Sequence, residues 1–173
     1  MSNIVLGTID AGGDGKAVLL ANINSVLGTS YTLDEFDFGT PELVTISSPT
    51  RNSVVRLAPK AVSGYYGTRK VYYNRIHGSE LGTISVARGS ATSVSGLLTA
   101  INEKYGILIT SADIYDATLP AAPVGEVEVT VALDFRPGSF IYYGGAQIVL
   151  GTNDPNAGSG TQAPFSGVQT LFS

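Results

Sequence analysis

Near its middle the sequence reads Leu97-Leu98-Thr99-Ala100-Ile101-Asn102-Glu103-Lys104-Tyr105-Gly106, and an earlier stretch reads Leu19-Leu20-Ala21-Asn22-Ile23-Asn24-Ser25-Val26-Leu27-Gly28. The two align without a gap at an offset of 78 positions, and the Leu, Leu, Ile, Asn and Gly positions match. Further along, Tyr65-Tyr66-Gly67 matches Tyr142-Tyr143-Gly144 at an offset of 77. The chain therefore contains two divergent copies of one module, over about residues 15–76 and 93–150.

Both matched stretches have the pattern of an amphipathic helix. Their apolar residues recur at spacings of three and four, and Gly28 and Gly106 stand where a left-handed C-cap would end each helix. Asp14 or Gly15 would begin the first helix. Thr32 to Glu35 and Thr110 to Asp113 both read Thr-x-x-acid, which predicts a second short helical turn in each copy.

Segments rich in β-branched and aromatic residues follow these helices, separated by turn formers. The predicted strands are Ile4 to Ile9, Val44 to Ile46, Val54 to Leu57, Lys70 to Tyr73, Leu81 to Val86, Val127 to Leu133 and Phe140 to Leu150. We predict an α+β fold in which two helices pack on a largely antiparallel sheet or sandwich. The two helix-plus-antiparallel-strand modules form one compact domain, residues 1–150.

Residues 151–173 form a separate segment by composition. They are rich in Gly, Asn, Ser, Thr and Gln, yet they contain Phe165, Leu171 and Phe172. A plain linker has no need of such side chains, so we expect an extended C-terminal arm that becomes ordered by docking on a neighbouring subunit or partner, or over its own domain.

Charge is segregated along the chain, whose net charge is −4. Residues 51–88 carry a balance of +6, and the flanks carry −5 each. The basic centre, with Arg69, Lys70 and Arg75 beside several tyrosines, predicts a partner-binding surface. Nucleic acid is one possible partner. Because the sequence pI is about 4.8, we favour solvated charges or acidic protein surfaces, including those of other copies.

Composition argues against catalysis and metal binding. The chain has no Cys, no Trp and one His, so thiol chemistry and thiolate metal sites are excluded. The segment from Asp10 to Ala17 fails as a phosphate loop and as a calcium loop, and a turn before the first helix explains it better. The sequence around His77 has no nucleophile motif that would indicate a catalytic triad. In the acidic cluster Asp34, Glu35 and Asp37, a helix-capping role explains Glu35 without a cation site or an acid–base pair. We expect no catalytic residue, cofactor or metal.

The sequence has no apolar run of about 20 residues and no basic leader region, so we expect a soluble protein that is used without secretion and without a membrane partner.

The helix at Leu97 to Gly106, the turn Gly64-Tyr65-Tyr66-Gly67 and the strand Val71-Tyr72-Tyr73-Asn74-Arg75 resemble a small module of virion structural proteins of tailed bacteriophages. The resemblance covers most of residues 15–150 and has no catalytic residues to transfer. It implies location in a virion, on the head or the tail, with major capsid or tail subunits and other copies of the chain as partners.

Three functions follow as hypotheses. The first is a non-enzymatic structural subunit of a phage particle, for decoration or assembly. The second is a virion-surface adhesin or carbohydrate-binding module, which exposed tyrosines beside polar groups would favour and buried tyrosines would disfavour. The third is a structural protein that contacts nucleic acid.

Overall fold

The computed structural model describes residues 3–47, 50–121 and 128–151. In chain order the strands and helices are β1 (Ile4–Thr8), α1 (Gly15–Leu27), β2 (Phe36–Phe38), β3 (Glu42–Ser47), β4 (Thr50–Pro59), β5 (Arg69–Asn74), β6 (Ile76–His77), β7 (Thr83–Ala87), α2 (Leu98–Tyr105), β8 (Val129–Asp134), β9 (Tyr142–Tyr143) and β10 (Gly145–Gly151). The fold is α+β, as predicted. Of the expected arm, only Gly151 is among the described residues.

The chain forms two compact units. Unit 1 is described over residues 3–47, 50–76 and 136–143, and unit 2 over residues 77–121, 128–135 and 144–151. The unit boundaries therefore differ from the copy boundaries, because Arg136–Tyr143 belongs to the second copy in sequence and to unit 1 in space.

Unit 1 contains a five-stranded sheet in the order β1-β5-β4-β2, with β3 also paired to β4. The ten-residue β4 is long enough to pair with β3 along its first half and with β2 at its end. Apolar side chains of β1, α1, β4 and β5 form its core, among them the fully buried Leu19, Ile23 and Val71. Their burial is the main source of stability.

Unit 2 repeats this arrangement with three strands in the order β7-β10-β8. In unit 1, β1 runs parallel to β5 and β4 runs antiparallel to it; in unit 2, β7 runs parallel to β10 and β8 antiparallel. Each sheet is thus mixed, and β5 in unit 1 and β10 in unit 2 each have one parallel and one antiparallel neighbour. The parallel pairs were not anticipated, because their partners lie about 65 residues apart in sequence.

The predicted helices are confirmed, with their caps. The Asp14 carboxylate accepts the Ala17 N–H at 3.0 Å at the start of α1, and Gly28 and Gly106 end α1 and α2 at φ +64° each. Glycine adopts this left-handed conformation at no steric cost. In copy two the first helical turn is a 3-10 helix, Ser95–Leu97, which continues into α2.

The strand predictions differ from the structure at three places. The sequence did not predict β2 and β6, since three and two residues are too few for a periodic pattern. The segment predicted as one strand from Phe140 to Leu150 is divided into β9 and β10, because Gly144 adopts φ +72° between them. Among the described residues, no helix has the length and apolar character to cross a membrane.

Candidate functional site

A groove lined by aromatic rings opens on the surface of unit 1. The rings of Tyr31 and Phe36 meet edge to face with centroids 5.0 Å apart, as do those of Tyr31 and Tyr65 at 5.1 Å. Phe36 and Tyr65 stack at 5.9 Å with 12° between their planes. We call this cavity of about 90 Å³, with its rim residues Leu27, Tyr66 and Arg69, the aromatic groove.

Local structure fixes the ring on the helix side. After the Gly28 cap, the Asn24 side chain donates to the Tyr31 carbonyl and accepts the Tyr31 N–H, both at 2.9 Å. The Thr29 hydroxyl also donates to the Asn24 side-chain oxygen at 2.9 Å. The backbone at Tyr31 is thus held by the end of α1, and its ring is positioned before any ligand arrives.

The sheet and a tight turn fix the other two rings. Phe36 begins β2 and pairs with Pro59 at the end of β4. Tyr65 follows Gly64, whose φ of +71° ends a short 3-10 helix, and the turn continues through Gly67 at φ +83°. Both glycines have left-handed backbone conformations, which residues with a Cβ adopt only at a cost in free energy. The tight turn that they form places Tyr65 against Phe36.

The rim of the groove exposes apolar surface to solvent. Leu27 is 39% exposed, Tyr65 44% and Tyr66 86%, and Val26 and Leu33 on the adjoining α1 and 3-10 helix are also exposed. Large apolar side chains that cluster on the surface in this way mark binding sites more often than isolated ones do. The cluster is therefore the candidate functional site.

Arg69 and Lys70, expected as partner-binding residues, are exposed at the start of β5, and Arg69 also lines the groove. Lys70 is paired across the ladder with Arg56, which is exposed too. Two like charges at paired positions repel each other, so an anionic group placed beside them would relieve that repulsion. Because side chains alternate along a strand, this pair lies on the sheet face opposite to Arg69 and Leu57 of the groove. At the groove itself, Arg69 favours acidic or neutral ligands over basic ones.

Arg75 was predicted on the partner-binding surface, and the structure corrects this. Its side chain is 3% exposed. Its Nε donates to Ser53 Oγ at 2.8 Å, and its Nη1 donates to the Pro137 and Ser139 carbonyls at 3.1 and 2.9 Å. The guanidinium therefore binds Arg136–Tyr143 to unit 1. Burial lowers the pKa of Arg75 below its usual value. The nearby Tyr73 and Tyr143 act in the opposite direction and raise that pKa.

Tyr73, in the same core, is fully buried, and its hydroxyl has no hydrogen-bond partner among the described residues. Burial raises the pKa of this phenol well above its usual range. Tyr142 is also buried, and its hydroxyl donates to the Ala11 carbonyl at 3.4 Å. Tyr73 and Tyr142 thus belong to the core, whereas Tyr65 and Tyr66 are accessible at the groove.

The motifs set aside in the sequence have local structural roles. His77 Nδ1 lies 2.6 Å from Ser79 Oγ at the start of a 3-10 helix, and the Glu80 carboxylate accepts the His77 N–H at 2.9 Å. Asp10 accepts the Gly12 N–H at 2.9 Å, which closes a turn.

In the acidic cluster, the Glu35 carboxylate accepts the Thr32 N–H at 2.7 Å, as predicted, and Asp37 lies 3.9 Å from the Lys60 ammonium. Within the described residues, no group of three or more His, Cys, Asp or Glu side chains is arranged to hold a metal ion.

The sequence analysis singled out Tyr65 and Tyr66 but missed that Leu27, Tyr31 and Phe36 join them. The signal was present in α1, where Val26 and Leu27 extend the apolar stripe beyond Ile23 to the helix end. Phe165, Leu171 and Phe172, predicted as partner contacts, lie outside the described residues.

Residues 14–159 match a family of unknown function, DUF7941, and the chain belongs to that family. No curated protein and no solved structure matches the chain.

Proposed function

We propose that this DUF7941 chain is a non-enzymatic structural subunit of a tailed-phage virion that acts through contacts with other copies of itself and with other virion proteins. The observation that carries the proposal is the aromatic groove, with Leu27, Tyr65 and Tyr66 exposed around it. The resemblance of the helix, the Tyr-Gly turn and the Tyr-Asn-Arg strand to phage structural modules supplies the virion setting.

The energetics of the groove suit a protein contact. Fully burying one large apolar side chain is worth about 1.5 to 3 kcal/mol, so covering two or three rim residues gives a useful contribution to an interface. The rings of Tyr31, Phe36 and Tyr65 already hold one another in place. A preformed site loses little conformational entropy on binding, which leaves more of that contribution as affinity.

Sedimentation velocity of the full chain over a range of concentrations tests the proposal. We expect concentration-dependent association that is weakened by Leu27→Ser combined with Tyr66→Ser. Both side chains are exposed, so the substitutions should leave folding intact.

Tyr115→Ser is the matched control, because Tyr115 is an exposed tyrosine of unit 2, 55% accessible, away from the groove lining. Equal association of all variants would contradict a role for the groove in assembly.

The second candidate is a carbohydrate-binding module on the virion surface. Tyr66 favours it, since its ring is 86% exposed and Arg69 lines the same groove. Tyr65 fits it less well, because its ring is stacked on Phe36 and one face is therefore covered. Calorimetric titration with a panel of oligosaccharides separates the two candidates: heat that is lost in Tyr66→Ala would support sugar binding, and its absence would favour the structural subunit.

A further inference from the structure

We propose that the aromatic groove of one copy receives residues 152–173 of a neighbouring copy, with Phe165, Leu171 and Phe172 as anchors. This inference rests on the proposed function and goes beyond it by naming the two surfaces that meet. It assigns the groove a ligand of defined chemistry: an apolar, proline-containing peptide that carries negative charge or none.

The groove selects for side chains of this kind. Aromatic rings and aliphatic side chains line the groove together with polar groups, Arg69 among them, and the apolar part favours aromatic, aliphatic and proline side chains over hydrated ones. Aromatic-lined grooves are a recurring site for proline-containing peptides, since proline limits the conformations that the free peptide must give up. In residues 152–173, Pro164 directly precedes Phe165, and a second apolar pair, Leu171-Phe172, follows six residues later.

The charges of the two surfaces are complementary. The only charged side chain in residues 152–173 is Asp154, and the segment has no Lys or Arg. The groove is lined on one side by Arg69, whose side chain is exposed. A basic peptide would be repelled there, whereas this segment is not.

The length of the segment allows contact between copies. The described chain ends at Gly151, and an extended chain advances about 3.3 Å per residue. Phe165 can therefore reach about 45 Å and Phe172 about 70 Å from that point. These distances exceed the diameter of a small domain, about 30 Å, so the anchors can reach a second copy.

Cysteine cross-linking between full-length chains tests the inference, since the natural chain contains no cysteine. Thr68→Cys places a thiol between Gly67 and Arg69 of the groove without removing a lining side chain, and Ser166→Cys places one beside Phe165. The two variants are mixed under mild oxidation, and the mixed disulfide is identified by mass spectrometry. The matched control replaces Thr68→Cys by Thr118→Cys, also an exposed threonine but in unit 2.

We expect the mixed disulfide to form about tenfold more in the Thr68 mixture than in the Thr118 mixture, because docking raises the local thiol concentration. Adding Phe165→Ala and Phe172→Ala to the Ser166→Cys chain should remove that difference. Equal yields in the two mixtures would overturn the inference. A second contrary result would come from a chain that carries both Thr68→Cys and Ser166→Cys. If that chain formed only the intramolecular disulfide at every concentration, the inference would also be overturned.

These outcomes are separable from the proposed function. If cross-linking fails but the chain is present in purified virions, the groove has been assigned the wrong occupant and the structural role stands. If cross-linking succeeds but the chain is absent from virions, the contact is real and the virion assignment is wrong.

Discussion

Asn24 and Asn102, 78 positions apart, make the same pair of hydrogen bonds. Each side-chain amide donates to the carbonyl seven residues ahead and accepts that residue's N–H, with all four distances 2.9 Å, at Tyr31 and at Ile109. Each asparagine thus connects the last turn of its helix to the segment that follows the C-cap glycine, Gly28 or Gly106. This identity between the copies has a clear physical reason: an amide side chain carries its donor and its acceptor on two neighbouring atoms, which matches the C=O and N–H of one backbone residue.

Asn24→Ala and Asn102→Ala are expected to destabilise the protein by similar amounts, about 1 to 3 kcal/mol, because each leaves a backbone donor and acceptor without a partner. Chemical denaturation followed by circular dichroism measures the change. Asn22→Ala is the control, since its side chain makes none of these bonds and alanine favours the helix. A large loss at one asparagine and none at the other would show that the two bridges are not equivalent.

Arg75→Lys should lower the free energy of unfolding by about 2 to 4 kcal/mol. The lysine ammonium carries its three N–H groups on a single nitrogen and cannot reproduce the separate positions of Nε and Nη1, so at least one of the acceptors on Ser53, Pro137 and Ser139 loses its donor. Arg69→Lys, the same change at an exposed position, should remain within about 0.5 kcal/mol of the natural chain. Equal small effects would mean that the buried guanidinium is not needed to hold Arg136–Tyr143.

Tyr73→Phe should leave stability at pH 7 unchanged or raise it by up to about 1 kcal/mol, because the hydroxyl it removes is buried without a partner. The pKa of Tyr73 is raised in the folded state, so above pH 10 the unfolded chain releases this proton while the folded chain keeps it. Stability should therefore fall as pH rises above 10, and less steeply in Tyr73→Phe.

Unfolding midpoints between pH 8 and 11 measure the slopes for Tyr73→Phe, with the exposed Tyr66→Phe as control. The same slope in the natural chain and in Tyr73→Phe would contradict the assigned burial.

Gly78→Ala should destabilise unit 2, because a Cβ at this position would overlap the carbonyl group of Gly145. That group belongs to the backbone, so it cannot rotate away as the end of a flexible side chain could. We expect a loss of about 1 to 3 kcal/mol, the usual cost of overpacking. Gly7→Ala is the control, since nothing lies within 4 Å of a Cβ there. Thermal unfolding of the two variants gives the comparison; a Gly78→Ala chain as stable as Gly7→Ala would show that the backbone yields easily.

The fold was predictable where a local signal determines it. The helices, their glycine caps and the Thr-x-x-acid motifs follow from residues within one or two turns of each other. The helices and caps are confirmed, and the motif gives the predicted helical turn after Thr32, whereas Thr110 to Asp113 forms a hydrogen-bonded turn that is not a helix. The parallel pairing of β1 with β5 was not predictable, because no local pattern selects a partner so far along the chain. For the same reason, the sequence did not predict that Arg136–Tyr143 belongs to unit 1.

The candidate site was predictable only in part, for a related reason. Tyr65 and Tyr66 stand out in a glycine-bounded turn, but Phe36 and Leu27 join them only through sheet pairing and the end of α1. Arg75 was misassigned because a basic residue in a strand normally faces solvent. Its guanidinium is held in the interior by carbonyls more than 60 residues away, and the sequence does not predict that those carbonyls lie next to it.

Electron microscopy tests the central claim, the proposed role as a virion structural subunit, most directly; the sample is purified particles from the source that encodes this chain. We predict repeated density on the head or the tail into which units 1 and 2 fit, with contacts between the aromatic groove and neighbouring subunits. Absence of the chain from purified particles, with the protein present in the infected cell, would contradict its role as a virion structural subunit.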